Sequence, residues 1–166
     1  MSSERYAGPG AAVTGAEFRK ACGRFATGVA IASVVDAEGA PHGLTVSSFT
    51  SVSMNPPLVL ICLGHAVSAI HHFRAASHFG INILAADERA LSERFARKGH
   101  DRFDGLEWYA GESGVPLLAG VLAAIECAVH RIVPMGDHDI VVGEMVRAVV
   151  HEGEPLIHFS GGYRKV

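Results

Sequence analysis

Two long runs of β-type sequence, 121–133 and 139–150, are separated only by Pro134-Met135-Gly136-Asp137-His138. So short a connection makes the pair an antiparallel hairpin. Shorter runs of the same kind precede it at 29–35, 43–48, 58–63 and 79–84, and Leu156 to Phe159 closes the set. Asp36-Ala37-Glu38-Gly39 supplies a turn after the first run. Pro56-Pro57 cannot sit inside a central strand and marks the entry to the run at 58–63. Helical signals are sparse. Thr14 and Glu17 match a capping box, and the helix they open puts Phe18, Ala21, Cys22 and Phe25 on one face before Gly28 ends it. A short helix is expected near 67–75, and a third is capped by Asp87, with Leu91 and Phe95 four residues apart. Between 99 and 118 the periodicity is lost, which predicts a long and functionally interesting connection. Helices are too few, and the late strands too directly joined, for a doubly wound sheet. The expected fold is mainly β: a closed or nearly closed antiparallel barrel with flanking helices, in which closure protects the edge strands.

Of the 166 residues, 1–13 read as a flexible N-terminal arm and 14–166 as one domain with a full hydrophobic core. A net charge of −3 with only 14 Lys and Arg argues against a nucleic-acid partner. Cys22, Cys62 and Cys127 show no CxxC or metal-knuckle spacing, and reduced buried thiols are expected. No apolar run approaches the ~18 residues of a membrane span, and the N-terminus carries no signal-like segment, so the expected location is the cytoplasm.

The segment 45–53 carries six hydroxyl side chains in nine positions and leads into the apolar run 57–63. Hydroxyls held against a rigid sheet need partners. They can satisfy one another and the backbone, or Thr45, Ser47 and Ser48 can donate to the phosphate, ribityl chain or ring edge of a flat, phosphorylated cofactor. Alternation sends Thr45 and Ser47 to one face and Val46 and Ser48 to the other, so the whole cluster reaches one pocket only across a bulge or turn. Neither G-x-G-x-x-G nor G-x-x-x-x-G-K-[ST] occurs, which leaves a nicotinamide nucleotide as a visiting substrate.

The ten histidines show no H-E-x-x-H and no i, i+4 pair, so no metal is expected. His138 sits at the tip of the late hairpin, where an exposed turn residue and a functional group are both compatible with the pattern. Arg102 either neutralises a phosphate or pairs with Asp101 or Asp104. Tyr163, behind Gly161-Gly162, either lies over a ring or packs against a second subunit. No G-x-S-x-G accompanies the serines, so a nucleophilic triad has no support.

Taken in order, these segments resemble the short-chain flavin reductase family, whose members share an FMN-binding split β-barrel. The matching stretches are Phe25-Ala26-Thr27-Gly28-Val29, Pro41-His42-Gly43-Leu44-Thr45 running to Ser53, Pro56-Pro57-Leu58-Val59, Phe79 to Leu84, Phe95 to Phe103, Gly136-Asp137-His138-Asp139-Ile140, Gly143-Glu144 and Gly161-Gly162-Tyr163-Arg164. The resemblance spans roughly residues 14 to 164. It implies a homodimer that uses NADH or NADPH to reduce FMN or FAD and supplies the reduced flavin to a separate monooxygenase. It also implies hydride transfer from nicotinamide C4 to flavin N5, chemistry carried by the cofactors. By position, Thr45, Val46, Ser47 and Ser48 would line the flavin. Cys62, Leu63, Gly64, Ser68, Phe79, Gly80 and Asn82 would surround it, together with Ser53. His100 and Arg102 would lie toward its phosphate or the dimer seam, His138 at the nicotinamide side, and Tyr163 over the pocket. Two departures stand out: Val46-Ser47 where the family often has Ala-Asn, and Gly64-His65 where it often has an acidic residue followed by a cation. Some relatives keep FMN bound and pass electrons to another acceptor such as a corrinoid. A flavin-binding barrel without turnover is the reading from a different class.

Overall fold

The computed structural model describes residues 12–99 and 102–164. Most of the arm expected at 1–13 lies outside them, as does His100. The chain begins with helix α1 (Gly15–Cys22), capped as its sequence predicts. The Thr14 hydroxyl accepts from Glu17 N at 3.2 Å, and the Glu17 carboxylate accepts from Thr14 N at 2.9 Å. The helix stops at Gly23, five residues short of the expected end, and none of its residues is buried. Residues Thr27–Gly28 instead form a two-residue strand, β1.

Strands β2 (Ala30–Val35), β3 (Pro41–Val46), β4 (Thr50–Met54) and β5 (Pro57–Gly64) follow, with α2 (Ile70–Ala75), β6 (His78–Ile83) and α3 (Arg89–Ala96) after them. The region 99–118 is not structureless, because β7 (Trp108–Ala110) and β8 (Pro116–Leu118) pair within it. Strands of three residues have too little length for an alternation to register. The long hairpin is β9 (Ala123–Met135) and β10 (His138–Val150), its strands running almost to a turn at Gly136-Asp137. The described residues close with β11 (Ile157–Phe159) and β12 (Gly162–Arg164), which places Tyr163 in a strand.

Seven strands form one antiparallel sheet in the order β3-β2-β6-β9-β10-β5-β4, and β1, β11 and β12 form a small second one. The large sheet curls until the segment after β3 meets β5. There the Ser48 hydroxyl accepts from Cys62 N at 2.8 Å and donates to Cys62 O at 3.2 Å. A side chain, not a strand ladder, spans this junction, and the fold is a split barrel with flanking helices.

Alternation divides the core in two. Ala30, Ala32, Val59, Ile61, Leu63, Phe79, Ile81, Ile125 and Cys127 point into the barrel. On the outer face Ile31, Leu84 and Ala124 pack under Phe95, Phe103, Val115 and Leu117. Both faces of β2 and β6 are therefore covered, which explains their unbroken burial. Of the three cysteines only Cys127 is buried, its thiol pushed up to about 12 by burial; Cys22 is exposed and Cys62 half-buried. No helix among the described residues is long and apolar enough to cross a membrane.

Gly43 is where α3 settles on β3. A Cβ there would lie 2.9 Å from Phe95 Cε1, 3.0 Å from the Ala32 carbonyl oxygen and 3.2 Å from Phe103 Cε2. The carbonyl belongs to the sheet and cannot yield. Gly43→Ala should therefore destabilise the fold by ~1–3 kcal/mol, read as a lower midpoint in urea; an unchanged midpoint would refute this account of how the helix is seated.

Candidate functional site: a groove between strand β3 and helix α3

Three adjoining cavities form one groove along the junction of β3 and α3. The central one, about 460 Å³, is lined by Leu44 and Thr45 of β3, Ala66, Val67 and Ser68 of the loop after β5, Phe95 and Ala96 of α3, and Lys98, Gly99 and Arg102. That volume lies within the range of small-ligand and cofactor sites. It continues past Thr45 and Ala96 into a space of about 200 Å³ beside Ser47, Ser92, His158 and Tyr163. In the other direction, past Ser68, Gly99 and Arg102, a second space of about 200 Å³ ends at His42, His71 and His72.

Thr45 donates its hydroxyl to the Ser92 carbonyl oxygen at 2.6 Å, tying the wall of the groove to the helix above it. The buried Ser92 side chain shares a hydrogen bond of 2.8 Å with Tyr163 Oη. Tyr163 is further held by the His158 ring, edge-on at 5.8 Å, and by the Arg89 guanidinium 5.2 Å from its centroid. Ser47 is exposed, and its hydroxyl has no protein partner among the described residues. Thr27, opposite His158 in the β1–β11 pairing, carries a buried hydroxyl that is also without one.

Arg102 spans the opposite end. It donates from Nε and Nη2 to the Arg97 carbonyl oxygen at 3.0 and 2.6 Å, and from Nη1 to that of Gly43. Burial lowers its pKa. No carboxylate faces it among the described residues, and Asp104 is not its partner. Carbonyl oxygens orient a guanidinium without cancelling its charge, so this end, with Lys98 beside it, suits an anion. A groove with a hydroxyl-bearing wall, an aromatic flank and a cationic end fits a phosphorylated flat cofactor.

The fold thus brings together five of the residues expected from the sequence: Thr45, Ser47, Ser68, Arg102 and Tyr163. The others, apart from His100, which lies outside the described residues, stand elsewhere. Ser48 and Cys62 bind each other across the split of the barrel. Val46 and Leu63 point into the core. Ser53 lies on the edge strand β4 and accepts from Asn55 N. Phe79 fills the barrel, and Gly80 lies against the Ser33 hydroxyl and the Pro116 carbonyl oxygen. Asn82 is buried under β8, donating to Ile31 O and Ser33 Oγ, both at 3.2 Å, and accepting from Leu118 N at 2.8 Å. Both of its N–H donors and one lone pair of its oxygen are spent in joining two layers. Sequence reasoning missed Ser92, Ala96 and His158. Ser92 and Ala96 are small residues one turn apart on α3, a faint signal for a surface something else must approach.

His138 and Gly64 lie at one end of the β5–β10 pairing, outside the groove. The His138 ring, whose Nδ1 is 2.7 Å from Asp137 Oδ1, stands over Gly64. The loop from here to the groove is pinned at its start: His65 N donates to Asp137 O at 2.9 Å, and His65 Nε2 lies 2.8 Å from Asp139 Oδ1. Asp139 is buried and also accepts from Arg74 Nε of α2 at 2.6 Å.

An antiparallel split barrel with a hydroxyl-lined, cation-ended groove is the arrangement that the resemblance to flavin reductases leads one to expect. Residues 22–166 match the flavin reductase like domain, and the chain belongs to that family. It is 46% identical over 145 residues to the FMN reductase (NADH) of Agrobacterium fabrum, spanning 87% of this chain and 82% of that protein. It is 40% identical to the NADH-dependent FAD reductase of Streptomyces globisporus, over 88% of this chain and 82% of the relative. The NADH:FAD oxidoreductase of Streptomyces globisporus, solved with NAD and FAD fragments, superposes with a TM-score of 0.86 at 38% identity, over 91% of this chain and 92% of that one. The reductase component of the trigonelline monooxygenase of Acinetobacter baylyi is 39% identical over 89% of this chain, which spans 47% of that protein.

The Arg74 guanidinium holds the Asp139 carboxyl below the usual range against the opposing effect of burial, with help from His65. A depressed pKa contributes stability that is present above the unfolded value, about 3.9, and is lost as pH falls toward the folded one. Asp139→Asn should therefore lower the melting temperature at pH 7 and flatten its fall between about pH 4 and pH 3. Parallel wild-type and variant profiles would show that the pair carries no such linkage.

Proposed function

We infer that this chain is an NAD(P)H-dependent flavin reductase that transfers hydride from a reduced nicotinamide to FMN or FAD and supplies the reduced flavin to a separate oxygenase. The observation that carries the reading is the β3–α3 groove, which joins a hydroxyl-bearing wall to a guanidinium that no carboxylate faces among the described residues. A bound flavin supplies the hydride-accepting ring, so no nucleophile is asked of the protein. Thr45 and Ser47 form one wall against that ring and its side chain, and Tyr163, fixed by Ser92 and His158, closes the flank. Lys98 and Arg102 receive the phosphate, with Ser68 beside them.

His138 serves the nicotinamide side as an orienting group from the hairpin tip. We place the working unit in a homodimer, in which a second copy would cover exposed apolar side chains such as Phe18, Phe25, Met54, Val146 and Val150, all more than half exposed. Residues 14–166 act as the flavin-binding unit. The cytoplasm is the natural compartment because the reduced nicotinamide pool is there.

Anaerobic titration with NADH and NADPH, followed by aerobic turnover with added flavin, tests this reading. NADH or NADPH oxidation should rise saturably with free FMN or FAD, and His138→Ala should raise the nicotinamide KM or slow flavin reduction. Slow turnover on a tightly retained yellow cofactor would point instead to a bound-flavin carrier. Absence of both colour and turnover would leave a non-catalytic barrel.

Arg102→Ala should weaken FMN binding roughly 10- to 100-fold, the scale of a hydrogen bond to a charged group, and leave riboflavin binding nearly unchanged. Equal losses for both ligands in fluorescence titrations would remove Arg102 from the phosphate end.

A further inference from the structure

The histidine end of the groove has a second side. Beyond it lies a cavity of about 520 Å³ whose lining includes Asp36, Glu38, His71, His72 and His78. His71 and His72 line both spaces and form the wall between them. Within that wall the ligand-type atoms of Asp36, His42 and His72, all half-buried, lie within 4.8 Å of one another. Asp36 Oδ2 is 2.8 Å from His42 Nε2, and the His42 and His72 rings stack with centroids 3.9 Å apart. The His71 ring is 3.8 Å from that of His72. No hydrogen bond engages the His72 ring among the described residues.

We propose that Asp36, His42 and His72 form a binding site for a divalent transition-metal ion of the zinc type, with water completing the coordination. Two imidazoles and one carboxylate select such ions over calcium or magnesium, which take oxygen ligands. Zinc ligands stand ~2.0–2.2 Å from the metal, so two of them are at most ~4.4 Å apart; binding requires the stacked His42 and His72 rings to tilt apart so that both nitrogens point at one ion. Each ligand has a firm base. Asp36 is fixed by its own turn, its Oδ1 accepting from Glu38 N at 3.0 Å and Ala40 N at 2.7 Å, which leaves Oδ2 facing His42. Hydrogen bonds of that kind orient a carboxylate ligand. His42 sits in β3 and His72 on α2, so the ion would clip the β2–β3 turn to the helix. Three protein ligands beside a cavity leave a position open for an exogenous ligand. The inference is independent of the flavin reading.

The test uses the full chain, free of tag histidines and dialysed against EDTA. Calorimetric titration with Zn²⁺ should give one equivalent, and Zn²⁺ should raise the melting temperature by mass action. His42→Ala and His72→Ala should each weaken binding by at least about 10-fold and abolish the thermal shift, whereas His130→Ala should not. Wild-type affinity in both variants, or no stoichiometric binding by the unmodified chain, would overturn the site. Should a variant not fold, ¹H–¹⁵N spectra of the histidine rings in the unmodified chain decide: Zn²⁺ must shift His42 and His72, and shifts confined to other histidines sink the proposal.

Discussion

The seating of α3 on β3 is the contact on which the groove depends. Phe95 and Phe103 can reach the sheet only because Gly43 presents no side chain. The same glycine offers its carbonyl to Arg102, and two residues further on Thr45 bonds to the Ser92 carbonyl. Steric room, a charge-assisted hydrogen bond and a hydroxyl bond thus converge on two positions of one strand, Gly43 and Thr45. They fix the distance between helix and sheet, and that distance is the width of the groove. The two apolar clusters supply the general driving force for folding, but neither by itself would leave an open channel between a strand and the helix packed on it.

The hydroxyl-rich segment marks the right place for a reason only partly anticipated. Its side chains are mostly committed to the protein: Thr45 to Ser92, Ser48 to both backbone groups of Cys62, and Ser53 to the Asn55 amide. Ser47 is left facing the groove. A segment that must leave a barrel strand, cross the split and start an edge strand has backbone groups to satisfy at each step, and short hydroxyls do that locally. Structural demand therefore accounts for Thr45, Ser48 and Ser53, while Ser47 lines the groove with no protein partner among the described residues.

Strand positions were legible because alternation survives in β5 and in the long hairpin, where one face looks into the barrel. The expected helix beyond Cys22 failed because Phe25, which extended its apolar face on paper, has no core to meet and is exposed. The hairpin β7–β8 escaped notice because three-residue strands carry no period. At the site, Thr45 and Ser47 came from a segment that resembles the family, and Ser68 by position between two such segments. Ser92 and His158 could not be found by spacing, since 47 positions separate Thr45 from Ser92 and only the fold brings them together. Asp36, His42 and His72 escaped for the same reason: one belongs to a turn, one to a strand and one to a helix.

The loop from His65 to Ala69 connects these features mechanically. Its first residue is bound to the hairpin tip through Asp137 and to buried Asp139, which also grips Arg74 of α2. Its middle, Ala66 to Ser68, is a wall of the groove, and its end enters the helix that carries His71 and His72. Any displacement of α2 must therefore be taken up either by this wall or by the Asp139 anchor. A buried carboxylate that would lose a charged partner by moving resists displacement more strongly than an exposed loop does. The groove wall is the softer of the two, so the cationic end of the groove is where strain from either the hairpin tip or the histidine cluster would be felt.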